Sequence, residues 1–520
     1  VEERLGHFDE ARKHQGKAAW DAAWAHPAQL ALARMSLRTS DYEQALLHAE
    51  EAIRRDALSP AGHALQVMTL RRLGRAAEAE SVLRELLLNN PLDPLALALD
   101  GRLTPADPKT ALTIASDFAR AGQWRDALDL TAEPSPAGTV RAFGATEPLR
   151  RYLRAAWLEH LQRFEAAAAE RTAARGSDTT LAFPYGLDDY DALKLAIVAD
   201  PHDEVAHSLM GCWLLDARRT GDAYHHLHTS TTLGSADPST WRNTAIAAVN
   251  LGRNPNEADT FLDRALHLSP NDPRLVFERA VLAQHRGVGA AQQLESLERH
   301  GDVLLERHDL ALLYANLLVD VGRVHEALGI MTTRVFQPFE GGEGLAIAAY
   351  DRASLQVARD LLTSDPTAAV ALLRQGMAAP PNLGEGWHPA NSMAERLVLL
   401  GDALSLAEDH QGAAAAWQLA CCGDNSAAPE DARATPADFW RGIAFARLGL
   451  PSEANRVWDF LSAGADDLET EPSGVEYFAT SVPELLLFDT DTTASRARTA
   501  DRLRELAAKG RAGLHQGARP

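Results

Sequence analysis

The chain has 520 residues, with 72 acidic against 51 basic side chains and a formal charge of −21. That surplus opposes docking on phosphate backbones or anionic lipid, so nucleic acid and membrane are not expected partners. Aromatics supply only 6% of residues while Ala and Leu dominate, a mix that favours helix over strand.

The first segment, "GKAAWDAAWAHPAQLALARMSLRTSDYEQALLHAEEAI", reads as helix, turn, helix. Trp20 and Trp24 lie one turn apart in it, and core packing is expected for both. Further along, "RRLGRAAEAESVLRELLLNNP" puts Gly74 five residues before Ala79 and Pro91 twelve after it. "NLGRNPNEADTFLDRALHLSP" repeats the twelve-residue spacing with Ala258 and Pro270. Weaker copies are "RAGQWRDALDL", "LQRFEAAAAERTAA", "DVGRVHEALGIM", "SDPTAAVALLRQGMAAPP", "EDHQGAAAAWQLA" and "RLGLPSEANRVWDFL".

One physical scheme covers the copies. A glycine or small polar residue permits the left-handed cap ending a first helix. Ala45, Ala79, Ala127, Ala258, Ala327 and Ala454 fall where two helices cross, and a larger side chain would force them apart. Leu83, Leu262, Trp417 and Trp458, four positions on, share that buried face. Proline stops the second helix. A lone pair cannot bury its apolar stripe, so pairs stack into a solenoid. The pattern resembles the tetratricopeptide repeat (TPR), a helix–turn–helix unit of about 34 residues. The expected fold class is therefore all-α, a TPR-like α-solenoid superhelix of about ten helix pairs.

The expected organisation is N-terminal repeats over 1–132 that start mid-repeat, an irregular connection with helices over 133–192, central repeats over 193–335, C-terminal repeats over 336–470 and capping helices with a polar tail over 471–520. Pro, Gly and Ser cluster near 133–150 and 174–192, which marks irregular units.

A closer resemblance rests on motifs in a fixed order. They are the opening "GKAAWDAAWAHPAQLALARMSLRTSDYEQALLHAEEAI", then "FPYGLDDYDALKLAIVADPHDEVAHSLMGCWLL", "DPSTWRNTAIAAVNLG", "FERAVLAQHRGV", "LLERHDLALLYANLLVDVGRVHEAL", "FQPFEGGEG", "PPNLGEGWH" and "VEYFATSVPELLLFDTD". Together they are similar to the repeat region of large bacterial proteins named for the domain of unknown function 5107. In that family a β-sandwich domain precedes the helices. The chain opens at Val1 in mid-unit, without an initiator Met, so the expectation is the C-terminal part of a longer polypeptide, or one with its upstream region removed.

Two acidic glycine loops carry the candidate chemistry. "FEGGEG" contains Glu340 and Glu343, and "NLGEGWHP" contains Glu385, Trp387 and His388. In one reading the carboxylates meet the positive end of a helix dipole. In the other, Glu340, Glu343 and Glu385 converge on one rim as acid–base groups while Trp387 stacks on a sugar, since glycoside hydrolysis needs paired carboxylates. Arg242 and Asn243 in "TWRNTA", and Arg307 and His308 in "RHD", begin apolar helices and are either buried polar pairs or ligand contacts.

"HHLH" sets His225 and His228 on one helical face without a further ligand at metal spacing, and no metal or cofactor is expected. "LLLFDTDTT" imitates a phosphatase strand but lacks the downstream sheet. Three cysteines, Cys212, Cys421 and Cys422, suit no disulfide framework and point to the cytoplasm.

The expected function is a non-catalytic TPR-type binding scaffold for a partner protein, a ligand, or the family's β-sandwich domain on the same polypeptide. The alternative is the helical part of a glycoside hydrolase-like enzyme that takes an oligosaccharide.

Overall fold

Helix starts in this chain are written by a short signal. Ser59, Asp93, Asp107, Asn254, Asp272 and Asp365 each precede a proline, and each side chain accepts a backbone N–H of the following turn. The cap supplies an acceptor to an orphan donor, and the proline sits where its missing N–H is not needed. The computed structural model describes residues 2–104, 107–134, 144–339, 341–388, 392–421, 433–470, 487–488 and 492–515. Among them there is no β-strand.

The chain forms two compact units, Val1–Ala247 and Ala248–Pro520. In unit 1 the helices are α1 (Phe8–Ala18), α2 (Ala22–Arg38), α3 (Tyr42–Arg55), α4 (Pro60–Arg72), α5 (Ala76–Asn89), α6 (Pro94–Leu99), α7 (Pro108–Arg120) and α8 (Trp124–Leu130). They continue as α9 (Glu147–His160), α10 (Phe164–Arg175), α11 (Leu187–Ala199), α12 (Glu204–Asp216), α13 (Thr220–Thr232) and α14 (Pro238–Asn250), within which the division falls. Unit 2 holds α15 (Pro255–Leu268), α16 (Pro273–His285), α17 (Ala290–Glu298), α18 (His308–Asp320), α19 (Val324–Thr333), α20 (Leu345–Leu361) and α21 (Pro366–Gln375). It closes with α22 (Ala394–Leu406), α23 (His410–Cys421), α24 (Ala437–Arg447), α25 (Pro451–Thr470) and α26 (Thr492–His515).

Neighbouring helices pack as antiparallel pairs joined by tight turns: α2/α3, α4/α5, α7/α8, α9/α10 and α12/α13 in unit 1, and α16/α17, α18/α19, α20/α21, α22/α23 and α24/α25 in unit 2. Nine of these ten turns hold one residue in the left-handed region. It is glycine at 74, 122, 287, 322 and 449, and Ser40, Gln162, Arg218 or Glu408 elsewhere. Larger side chains than expected thus take the cap.

The six crossing alanines, at 45, 79, 127, 258, 327 and 454, are each 0% exposed. Glycine serves the same purpose at Gly211, Gly401 and Gly442, where a β-carbon would run into Leu227, Trp417 and Trp458 respectively. The fold is therefore an all-α, TPR-like solenoid of helix pairs. In unit 1 most buried residues form one continuous cluster from Ala33 to Ala223, as stacking requires, with Ala11, Leu32 and Met35 in a small separate one. In unit 2 they divide into several clusters.

Two packing expectations are corrected. Trp20 is 86% exposed and Trp24 64% exposed. Trp20 precedes the α2 cap Asp21, and Trp24 lies on the first turn of α2, ahead of the helix's continuous buried stretch. Trp417 is only half-buried, with its indole N–H donated to Asp402 at 3.2 Å.

Candidate functional site

The two glycine loops of unit 2 are mated. Backbone N–H of Phe336 donates to Asn382 O at 2.7 Å, and the Asn382 amide donates back to Met331 O and Arg334 O at 2.9 and 2.8 Å. Gly384 has φ +71°, and a β-carbon there would crowd Phe336 O, so glycine is required at this approach. From this turn Glu385 reaches α20. One carboxylate oxygen accepts Gly344 N–H at 2.7 Å and the other accepts Ile347 N–H at 2.8 Å. Both oxygens are thus held by the donors that a helix N-terminus leaves unpaired.

Trp387 is half-buried against a cluster containing Phe336 and Leu383, and its indole nitrogen is enclosed without a partner among the described residues. His308 joins the same neighbourhood: its Nδ1 accepts from Arg334 at 2.8 Å, and its ring lies 6.1 Å from Phe336. Arg307 instead forks onto Asp309 at 2.6 and 3.0 Å. Glu343 and His388 are exposed, and Glu340 lies outside the described residues. Arg242 and Asn243 belong to unit 1. There the Arg242 guanidinium donates to Asn243 Oδ1 at 2.8 Å, and the buried Asn243 amide donates to Cys212 Sγ at 3.4 Å. Burial pushes the Cys212 thiol up to about 11, which keeps it protonated and inert.

His225 and His228 are exposed, as a solvent-facing stripe would be. His226, between them, turns inward and shares a hydrogen with His207 of α12, Nδ1 to Nδ1 at 2.9 Å. Ring centroids 5.0 Å apart set the two nitrogens head-on. That arrangement suits one shared proton, because lone pairs binding one metal must converge at an angle. No group of three or more His, Cys, Asp or Glu among the described residues is arranged to hold a metal ion. Cys422 and the Asp489–Asp491 motif lie outside the described residues.

A wide concavity in unit 1 has no counterpart in the sequence motifs. It is a groove of about 550 Å³ bordered by α2, α7, α9 and α11. Five cationic side chains, Arg4, Arg34, Arg38, Arg120 and Lys194, face three carboxylates, Glu3, Asp188 and Asp191. Two of the cations are engaged. Arg120 donates to Asp188 at 2.8 Å and to Asp117 at 2.7 Å, and Arg4 spans to Asp188 and Asp191 at 3.0 and 2.5 Å. Arg34 and Arg38, one turn apart on α2, have no carboxylate at ion-pair distance among the described residues.

Arg38 lies between rings, 5.4 Å from Phe8 and 5.2 Å from Trp124, and Trp124 stacks on His160 at 4.1 Å with planes 14° apart. Burial lowers the Arg38 pKa, the mark of a cation whose lost hydration is not fully replaced. The legible signal was two arginines inside the apolar run "LALARMSLR".

No known family's sequence profile matches the chain. Solved structures to which it is similar include the TPR domain of P58(IPK), at 13% identity over 84% of this chain and 98% of that one, with a TM-score of 0.21. Yeast Tom70 is similar at 12% identity, 99% and 97% coverage and a TM-score of 0.25. A chain of the APC/C hetero-tetramer Cut9–Hcn1 is similar at 11% identity, 90% and 95% coverage and a TM-score of 0.28. The fold assignment stands on the helix pairs themselves. No helix among the described residues is long and apolar enough to cross a membrane.

Proposed function

We propose that this protein is a non-catalytic helical-repeat scaffold that seats a segment of a partner protein in the groove of unit 1. The observation carrying this reading is the cationic surplus of that groove in a chain of net charge −21. Half-buried guanidiniums without carboxylates are costly in the free protein and are repaid by an anionic partner. The resemblance to proteins of the domain of unknown function 5107 nominates a β-sandwich domain of the same polypeptide as the first partner to test. Both oxygens of Glu385 are spent on helix amides, which weighs for the scaffold over glycoside hydrolysis.

The test is site-specific crosslinking in source cells from a photoreactive residue at Leu195, which lines the groove and is 37% exposed. The control position is Glu85 on α5, exposed and outside the groove. The expected result is a protein adduct from position 195 that is absent from 85 and is lost in an R34E/R38E variant. An adduct that ignores the arginine changes would overturn the assignment.

A further inference from the structure

We infer that the groove of unit 1 recognises a short peptide motif with one acidic and one aliphatic side chain, the acid between Arg34 and Arg38 and the aliphatic group in a side pocket beside Arg120. This rests on the scaffold reading above and names the partner chemistry that would satisfy it.

The acidic half follows from charge. Arg34 and Arg38 are four residues apart on α2, so their guanidiniums lie on one face. Arg4 and Arg120 already hold the groove's aspartates, and Glu3 acts on Arg38 only from beyond ion-pair distance, which leaves the α2 pair without a directly bonded carboxylate. A planar carboxylate accepts two guanidinium forks at once, and its charge-assisted bonds strengthen in a half-dry site.

The aliphatic half follows from a second cavity of about 80 Å³, several-fold above the roughly 15 Å³ that holds one water. It shares Ser116, Arg120, Leu153 and Asp188 with the groove, so one ligand can enter both. Leu112, Leu149 and Leu153 form its floor, and Phe183 and Tyr185 form its outer wall. That wall comes from the irregular stretch 174–192. Ala145 N–H donates to Thr180 O at 2.8 Å and joins it to the segment ahead of α9, while Tyr185 OH and Thr113 Oγ1 bond at 2.8 Å and tie the loop to α7. The pocket therefore exists before the ligand arrives, which lowers the ordering cost of binding. Its size admits one branched aliphatic side chain. Phe183 at 48% exposure and Tyr185 at 64% leave apolar surface at its mouth for that side chain to cover.

The test uses the whole chain and a positional library of fluorescein-labelled decapeptides, read by anisotropy at low and physiological salt. The best pools should combine Asp or Glu with Leu, Ile or Val, and exchanging the acid for Lys should weaken binding at least tenfold. R34E/R38E should invert the charge preference, and the milder R34Q/R38Q should erase it if the swap perturbs folding by circular dichroism. Phe183→Ala should remove the aliphatic preference and keep the acidic one.

Acid preference that is absent, or unchanged in the arginine variants, would overturn the motif. So would phosphoserine pools binding more than tenfold better than Glu pools, which would reassign the subsite to phosphate. If crosslinking from Leu195 remains arginine-dependent while the library shows no such preference, the scaffold stands and the motif falls.

Discussion

Glu385 closes the N-terminus of α20 from 41 residues away, with Gly344 N–H on one carboxylate oxygen and Ile347 N–H on the other. A cap that arrives from another loop does two things at once. It satisfies orphan donors, and it holds the Pro380–Trp387 turn against the Phe336 turn. Glu385→Ala is therefore expected to cost about 1–2 kcal/mol, and Glu385→Gln less, because the amide keeps one acceptor and loses the charge. Denaturant unfolding measures this. A catalytic carboxylate with no capping role would leave the melting temperature unchanged on either substitution.

Gly442 and Trp458 illustrate how the helices cross. Trp458 is 0% exposed, and a β-carbon at residue 442 would overlap its indole. Gly442→Ala is expected to destabilise unit 2 by about 1–3 kcal/mol through overpacking. Combining it with Trp458→Leu should cost less than the sum of the two single changes, because the smaller side chain vacates the clash. A double-mutant cycle by chemical denaturation gives the coupling sign, and strict additivity would contradict the crossing geometry.

Glu408 holds φ +66° in the turn between α22 and α23, a conformation that costs a non-glycine residue about 1–2 kcal/mol. Glu408→Gly removes that strain, offset in part by the extra freedom of glycine in the unfolded chain, roughly 0.5–1 kcal/mol. A small net gain is expected, read as a raised denaturation midpoint with unchanged slope.

The His207–His226 pair makes unit 1 sensitive to acid. Burial, with His207 and His225 nearby, pushes the His226 imidazole from its ordinary 6.5 down to about 4. Between those values the unfolded chain binds more protons than the folded one, so stability rises with pH. The contribution is complete above about pH 6.5 and is lost as pH falls towards 4. Urea unfolding of His226→Gln between pH 5 and 7.5 should show a shallower slope than the parent. An equal slope would exclude the pair as its source.

The repeat pattern by itself determined the helix pairs and the faces they bury. Ala45, Ala79, Ala127, Ala258, Ala327 and Ala454 are all fully buried because close crossing is a local demand, written at fixed spacing within one pair. The same local logic misplaced Trp20 and Trp24, whose outward direction depends on where α2 begins. It also left Glu385 open between cap and catalyst. The irregular stretches near 133–150 and 174–192 were visible as composition, but the pocket lined by Ala145, Leu149, Phe183 and Tyr185 was not. Only the tertiary structure set Glu385 on Gly344, Arg38 on Trp124 and Ala145 on Thr180. Each of those contacts joins residues more than thirty positions apart, and the direction in which successive pairs stack decides them. That direction depends on side chains from several helices at once, so no local spacing encodes it.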